Sequence, residues 1–126
     1  MFLRKSVILA AVIVAGLMCA YAADITGKWN AEFDSQVGPQ KYVFEFKVSG
    51  AALTGTANSE VAGAKAATPI TEGKINGNDI SFVENLNYQG MDLKIEYKGT
   101  IAGDVIKLAR TVSGQEGEKF EAKRAK

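Results

Sequence analysis

Leu93-Lys94-Ile95-Glu96-Tyr97-Lys98-Gly99-Thr100-Ile101-Ala102-Gly103-Asp104-Val105-Ile106-Lys107-Leu108-Ala109-Arg110-Thr111-Val112 decides the fold. On the first arm Leu93, Ile95, Tyr97, Gly99 and Ile101 alternate with Lys94, Glu96, Lys98 and Thr100. On the second, Ile106, Leu108, Arg110 and Val112 alternate with Lys107, Ala109 and Thr111. A period of two places one set on a buried face and the other in solvent, which is a half-buried strand. Gly103-Asp104 between the arms is hairpin-turn chemistry, because glycine takes positive φ without steric cost.

The same template recurs on the N-terminal side. Val48-Ser49-Gly50-Ala51-Ala52-Leu53 and Ile75-Asn76-Gly77-Asn78-Asp79-Ile80 match Ile101-Ala102-Gly103-Asp104-Val105-Ile106, and the glycines lie 27 and 26 residues apart. An internal repeat of this kind sets the architecture before any single residue does. Trp29, Ala31 and Phe33, then Tyr42, Phe44, Phe46 and Val48, and at the far end Phe120, Ala122 and Arg124, continue the alternation. No segment carries a helical period.

Eight strands follow, near 26–35, 40–49, 52–59, 68–75, 79–86, 91–101, 104–113 and 118–125. The expected fold is all-β, a single antiparallel up-and-down barrel, since closure removes exposed edges; a two-sheet β-sandwich is the alternative. The three Gly turns gather at one end. Longer connections are expected at the other: Ser35 to Pro39, Glu60 to Ala67, Asn87 to Gly90 and Ser113 to Gly117. Glu60 to Pro69, rich in Ala and Gly, is read as a strand connection or a lid over the mouth.

Residues 1–23 read as an export signal. Arg4 and Lys5 form a basic start, Ser6 to Met18 an apolar run, and Ala20-Tyr21-Ala22 a small-residue cleavage site. The run is shorter than the ~20 residues that a membrane helix needs. Cleavage removes Cys19 and leaves one domain, 24–126, of about 103 residues. The expected location is secreted or periplasmic, with no membrane span after cleavage. That domain has no Cys and no His, so it lacks disulfides, a thiolate nucleophile, an imidazole base and a His–Cys metal site. It sets 13 basic residues against 14 acidic ones, which gives no basic surface for nucleic acid. The chain is read as not an enzyme, with no cofactor or metal, and as a monomer or dimer.

Gly27-Lys28-Trp29 resembles the Gly-x-Trp signature of the calycin barrels, the lipocalin and avidin-like families. Ile25-Thr26-Gly27-Lys28-Trp29, with Leu53-Thr54-Gly55-Thr56 downstream, is similar to an avidin-type start. The resemblance implies that Trp29 plugs the closed end and that Arg124, on the last strand, packs across it. It does not carry biotin binding, because this chain has a single Trp.

Lining up the repeat puts Ile75, Ile80, Ile101 and Ile106 in a first inward layer. Four residues further up come Thr71, Glu84, Tyr97 and Arg110. Glu84 and Arg110 then face inward at similar height with Tyr97 between them. Buried charges need partners, so the trio is either a self-satisfying network or a polar grip in which Arg110 holds an anionic or carbonyl group of a ligand. Gly55, Ala57, Ser59, Thr71 and Gly73 leave the third and fourth strands lightly filled, with Ile70 facing out. A cavity is therefore expected beside those strands, rimmed by Phe33, Tyr42, Ser59, Leu86 and Tyr88. The expected partner is a small apolar or amphipathic molecule. A cell-envelope accessory or inhibitor protein acting through its rim loops is the alternative.

Overall fold

The computed structural model describes residues 24–125. The export-signal reading of residues 1–23 lies outside them. Eight strands run β1 (Gly27–Ser35), β2 (Gly38–Ser49), β3 (Ala52–Val61), β4 (Ala64–Asn76), β5 (Asp79–Tyr88), β6 (Met91–Ala102), β7 (Val105–Val112) and β8 (Gln115–Arg124). Each pairs antiparallel with its neighbours in chain order, and the barrel is closed. This is the up-and-down barrel and not the sandwich. The closing seam is short, three residue pairs: Trp29 with Arg124, Asn30 with Lys123, Ala31 with Ala122. Just below it, the Ala125 N–H donates to the Lys28 carbonyl at 2.9 Å.

The turns depart from expectation at the mouth. No long connection exists there; every hairpin has a two-residue turn. β3 continues to Val61 and β4 starts at Ala64, so the Glu60–Pro69 segment is strand and there is no lid. Two glycine placements explain six of the seven turns; the β1–β2 turn, Gln36-Val37, uses neither. At the floor, glycine comes first, as in Gly77-Asn78, with φ of 59° at Gly77, the pattern of a type II′ turn. At the mouth it comes second: Ala62 and Gly63 have φ of 49° and 89°, Gln89 and Gly90 53° and 83°, Ser113 and Gly114 50° and 82°. Positive φ at both central residues is the type I′ turn, whose twist suits a tight hairpin. Ala62-Gly63 does this without the Asn or Asp that usually advertises it.

One β-bulge moves the fourth strand out of expected parity. The β4–β5 register shifts between Thr71 and Lys74, where Glu72 adopts φ of 52°. An extra residue reverses which side chains face in. Ile70 is therefore buried and Thr71 exposed, the opposite of the sequence reading. Nor do the glycines of β3 and β4 open space. A Cβ on Gly55 would collide with the Glu45 carbonyl, and one on Gly73 with the Leu53 carbonyl. Both mark places where neighbouring backbones approach closely.

The interior is filled from the floor upward. Ile75, Ile80, Ile101 and Ile106 are buried as the repeat requires. Trp29 is fully buried at the same end, and its indole N–H donates to the Ile25 carbonyl at 2.9 Å. Arg124 lies over its ring, 4.4 Å from the centroid, as the Gly-x-Trp resemblance implies. The next layer is aromatic: Phe82 stacks on Tyr97 at 4.6 Å, and Phe44 meets both edge-on at 5.7 Å. Such offset and edge-to-face pairs are the favoured ring geometries.

Candidate functional site

Above the aromatic layer the core becomes polar. Glu84 on β5 is fully buried. Tyr97 donates to its Oε1 at 2.8 Å, and Tyr42 to Oε1 at 3.0 Å and Oε2 at 3.3 Å. Arg110 on β7 pairs across the ladder with Tyr97 and donates from Nη1 to the Tyr97 hydroxyl at 3.5 Å. Glu84, Tyr97 and Arg110 are thus brought together, with the tyrosine as the bridge; the two charged groups do not pair directly.

The network then runs to the rim. Arg110 Nη2 donates to Gln40 Oε1 at 3.2 Å, and Gln40 Nε2 donates to Ser35 Oγ at 2.7 Å. Ser35 in turn donates to the Gly38 carbonyl at 2.9 Å across the β1–β2 turn. Arg110 Nε donates to Glu118 at 2.7 Å, and its guanidinium carbon sits 4.6 Å from the Phe33 ring centroid. Phe33 itself stacks on Phe120 at 4.2 Å. That stack bridges β1 and β8 above the three-pair seam, where the two strands no longer share a ladder.

Burial sets the protonation chemistry. Desolvation pushes the Glu84 carboxyl above its ordinary range, and the hydrogen bonds from Tyr97 and Tyr42 and the charge of Arg110 only partly oppose it. Desolvation, with Glu84 nearby, raises both tyrosine hydroxyls, so they remain donors at physiological pH. Burial works against the charge of Arg110, yet Tyr97 and the Glu118 hydrogen bond outweigh it and hold the guanidinium charged.

This network floors a cavity of about 430 Å3 at the mouth. Its walls include Val61, Leu86, Leu93, Ile95 and Val112, and the polar residues that line it include Arg110, Gln40, Glu116 and Glu118. Both exposed large hydrophobics among the described residues, Val37 and Met91, stand on its rim. The cavity leans toward β5–β8 and the β1–β2 turn, not toward β3 and β4 as expected. The bulge explains the shift, because Ile70 now fills space assigned to Thr71. Leu86 and Tyr88 line the mouth as expected. Phe33 and Tyr42 belong to the layer beneath it. Ser59 lines a separate cleft of about 230 Å3 between the β3–β4 and β5–β6 hairpins. Its buried hydroxyl has no hydrogen-bond partner. A larger hollow, about 880 Å3, lies on the outer wall among Lys74, Lys98, Lys107 and Lys119. It reaches none of the buried polar groups, so the mouth is the better candidate site.

The sequence reading missed Gln40 and Glu118. Both have inward parity, but each fell at the first residue of an expected strand. The β7–β8 register also shifts opposite Arg110, at Gly117-Glu118. Glu118 shares the inward parity of Phe120 and Ala122 and meets the guanidinium just before that shift.

The fold and site define a closed eight-stranded barrel with a packed floor and a small, partly polar mouth. Comparison with protein families, curated proteins and solved structures found no match.

Proposed function

We propose that this chain is an exported, non-enzymatic binding barrel of calycin-like type that takes a small apolar or amphipathic molecule at its mouth. One observation carries the reading: the mouth cavity has mostly apolar walls and a charged guanidinium at its floor, the composition of a small-molecule site. Arg110 would grip a polar group of the ligand, Tyr88 and Leu86 would contact its body, and Glu84, Tyr97, Tyr42 and Phe33 would hold Arg110 in place. The calycin-like assignment rests on Gly27-Lys28-Trp29 and on Arg124 stacked over Trp29. The lack of His, and of Cys after residue 23, leaves little for acid–base or nucleophilic chemistry.

A second reading has its own support. The barrel centre is packed with aromatic rings, and the exposed Val37 and Met91 are placed to meet another protein at the rim. Native mass spectrometry of the protein purified from its own cells separates the two. A co-purifying small molecule, lost on Leu93→Trp to fill the mouth, is the expected result. A bound protein partner with an empty mouth would favour the rim reading and overturn the first.

A further inference from the structure

Glu118 is an unusual counter-ion. It sits beside a β-bulge, and bulges are over-represented next to functional sites. The adjoining Gly117 lets the two strands crowd: a Cβ there would stand 3.0 Å from the Arg110 carbonyl and 3.4 Å from Arg110 Cγ. The result is a carboxylate at 2.7 Å from a guanidinium whose side chain is only 4% exposed, while the Glu118 side chain is 26% exposed. The cation is also held by Tyr97, Gln40 and the Phe33 ring. Among the described residues the anion is held by the cation alone, and it faces the cavity. Of the five guanidinium N–H groups, the hydrogen bonds to Glu118, Tyr97 and Gln40 use three.

Resting on the reading of the mouth as a binding site, we propose that its ligand is a small monocarboxylate with an apolar body, and that Glu118 is the occupant it displaces. The incoming carboxylate takes the place of one already seated on Arg110, so the buried charge balance is unchanged. Its second oxygen reaches the remaining N–H groups, giving the two-pronged contact that guanidinium and carboxylate favour. Glu118 moves out to solvent, which it already partly meets. The apolar body lies against Leu86, Leu93, Ile95 and Val112. A phosphate or sulfate head would bring a different shape and charge to a seat now fitted by a carboxylate.

The test is calorimetry at neutral pH with octanoate and octanol, on the wild type and on Glu118→Gln. Octanoate is expected to bind the wild type about tenfold or more tighter than octanol, the effect of a charge-assisted contact. Glu118→Gln removes the internal competitor, so the ratio of octanoate to octanol affinity rises several-fold. Octanol binding as tightly as octanoate would overturn the carboxylate seat yet leave the mouth a binding site. A fall in that ratio in Glu118→Gln would overturn displacement. Binding of neither compound would remove the mouth reading itself. Should the variant fold poorly, the carboxyl carbon resonance of Glu118 in the wild type decides instead. It shifts toward that of a solvent-exposed glutamate on octanoate addition if displacement occurs, and stays unchanged if it does not.

Discussion

Two arginines mark the two ends of the barrel, and they are built alike. Each lies over an aromatic ring of β1, Arg124 over Trp29 at 4.4 Å and Arg110 over Phe33 at 4.6 Å. Each donates from Nε to one carboxylate, Asp104 at 3.0 Å or Glu118 at 2.7 Å. They differ in solvent. The Arg124 and Asp104 side chains are 35% and 83% exposed, those of Arg110 and Glu118 only 4% and 26%. At the floor the pair is a wet clasp over a closed plug. At the mouth the same arrangement is drawn inside, where a charge is costly unless every partner stays. The floor can spare its ion pair; the mouth cannot spare its arginine.

The largest expected effect is at the mouth. Arg110→Met leaves the buried Gln40 and Tyr97 without their charged partner and removes the cation nearest Glu84, so unfolding in urea should come earlier by about 1–3 kcal/mol of stability. A loss under about 1 kcal/mol would place the Arg110 pair with ordinary surface ion pairs.

Next is the pH response of Glu84. Burial raises its pKa above the 4.5 of a free side chain. Between those two values the native state keeps a proton that the unfolded chain has released, so stability falls as pH rises through that window, by up to about 1.4 kcal/mol per pH unit. Glu84→Gln should abolish this component when urea midpoints of the two proteins are compared from pH 4 upward. Parallel curves for wild type and variant would show that Glu84 titrates normally.

The smallest effect is at the floor. Arg124→Met should cost no more than about 1 kcal/mol by thermal unfolding, because an exposed pair and an exposed cation–ring contact contribute little. A cost matching that of Arg110→Met would erase the contrast between the ends.

Strand alternation made much of this legible. Period two alone places Trp29, Glu84, Tyr97, Arg110 and Arg124 on the inside, since a pleated strand leaves no other choice. The repeat of Gly50, Gly77 and Gly103 fixes the three floor turns. What stayed hidden lies where one extra residue breaks the alternation. Ile70 and Thr71 exchange faces above the bulge at Glu72. Ala62-Gly63 and Ser113-Gly114 lack Asn or Asp, so composition suggests loops where the backbone makes two-residue turns. Gln40 and Glu118 keep inward parity and were obscured differently, by strand starts placed two and three residues too late. The cavity moved with these local shifts, because its walls are the strand ends that bulges and turns position.

Side-chain Nε–H resonances of the two arginines report on both ends at once. Recorded by 1H–15N NMR while octanoate is added, the Arg110 signal should move to saturation and the Arg124 signal should stay in place. Movement of Arg124 with Arg110 unchanged would put the binding end of the barrel on the wrong side.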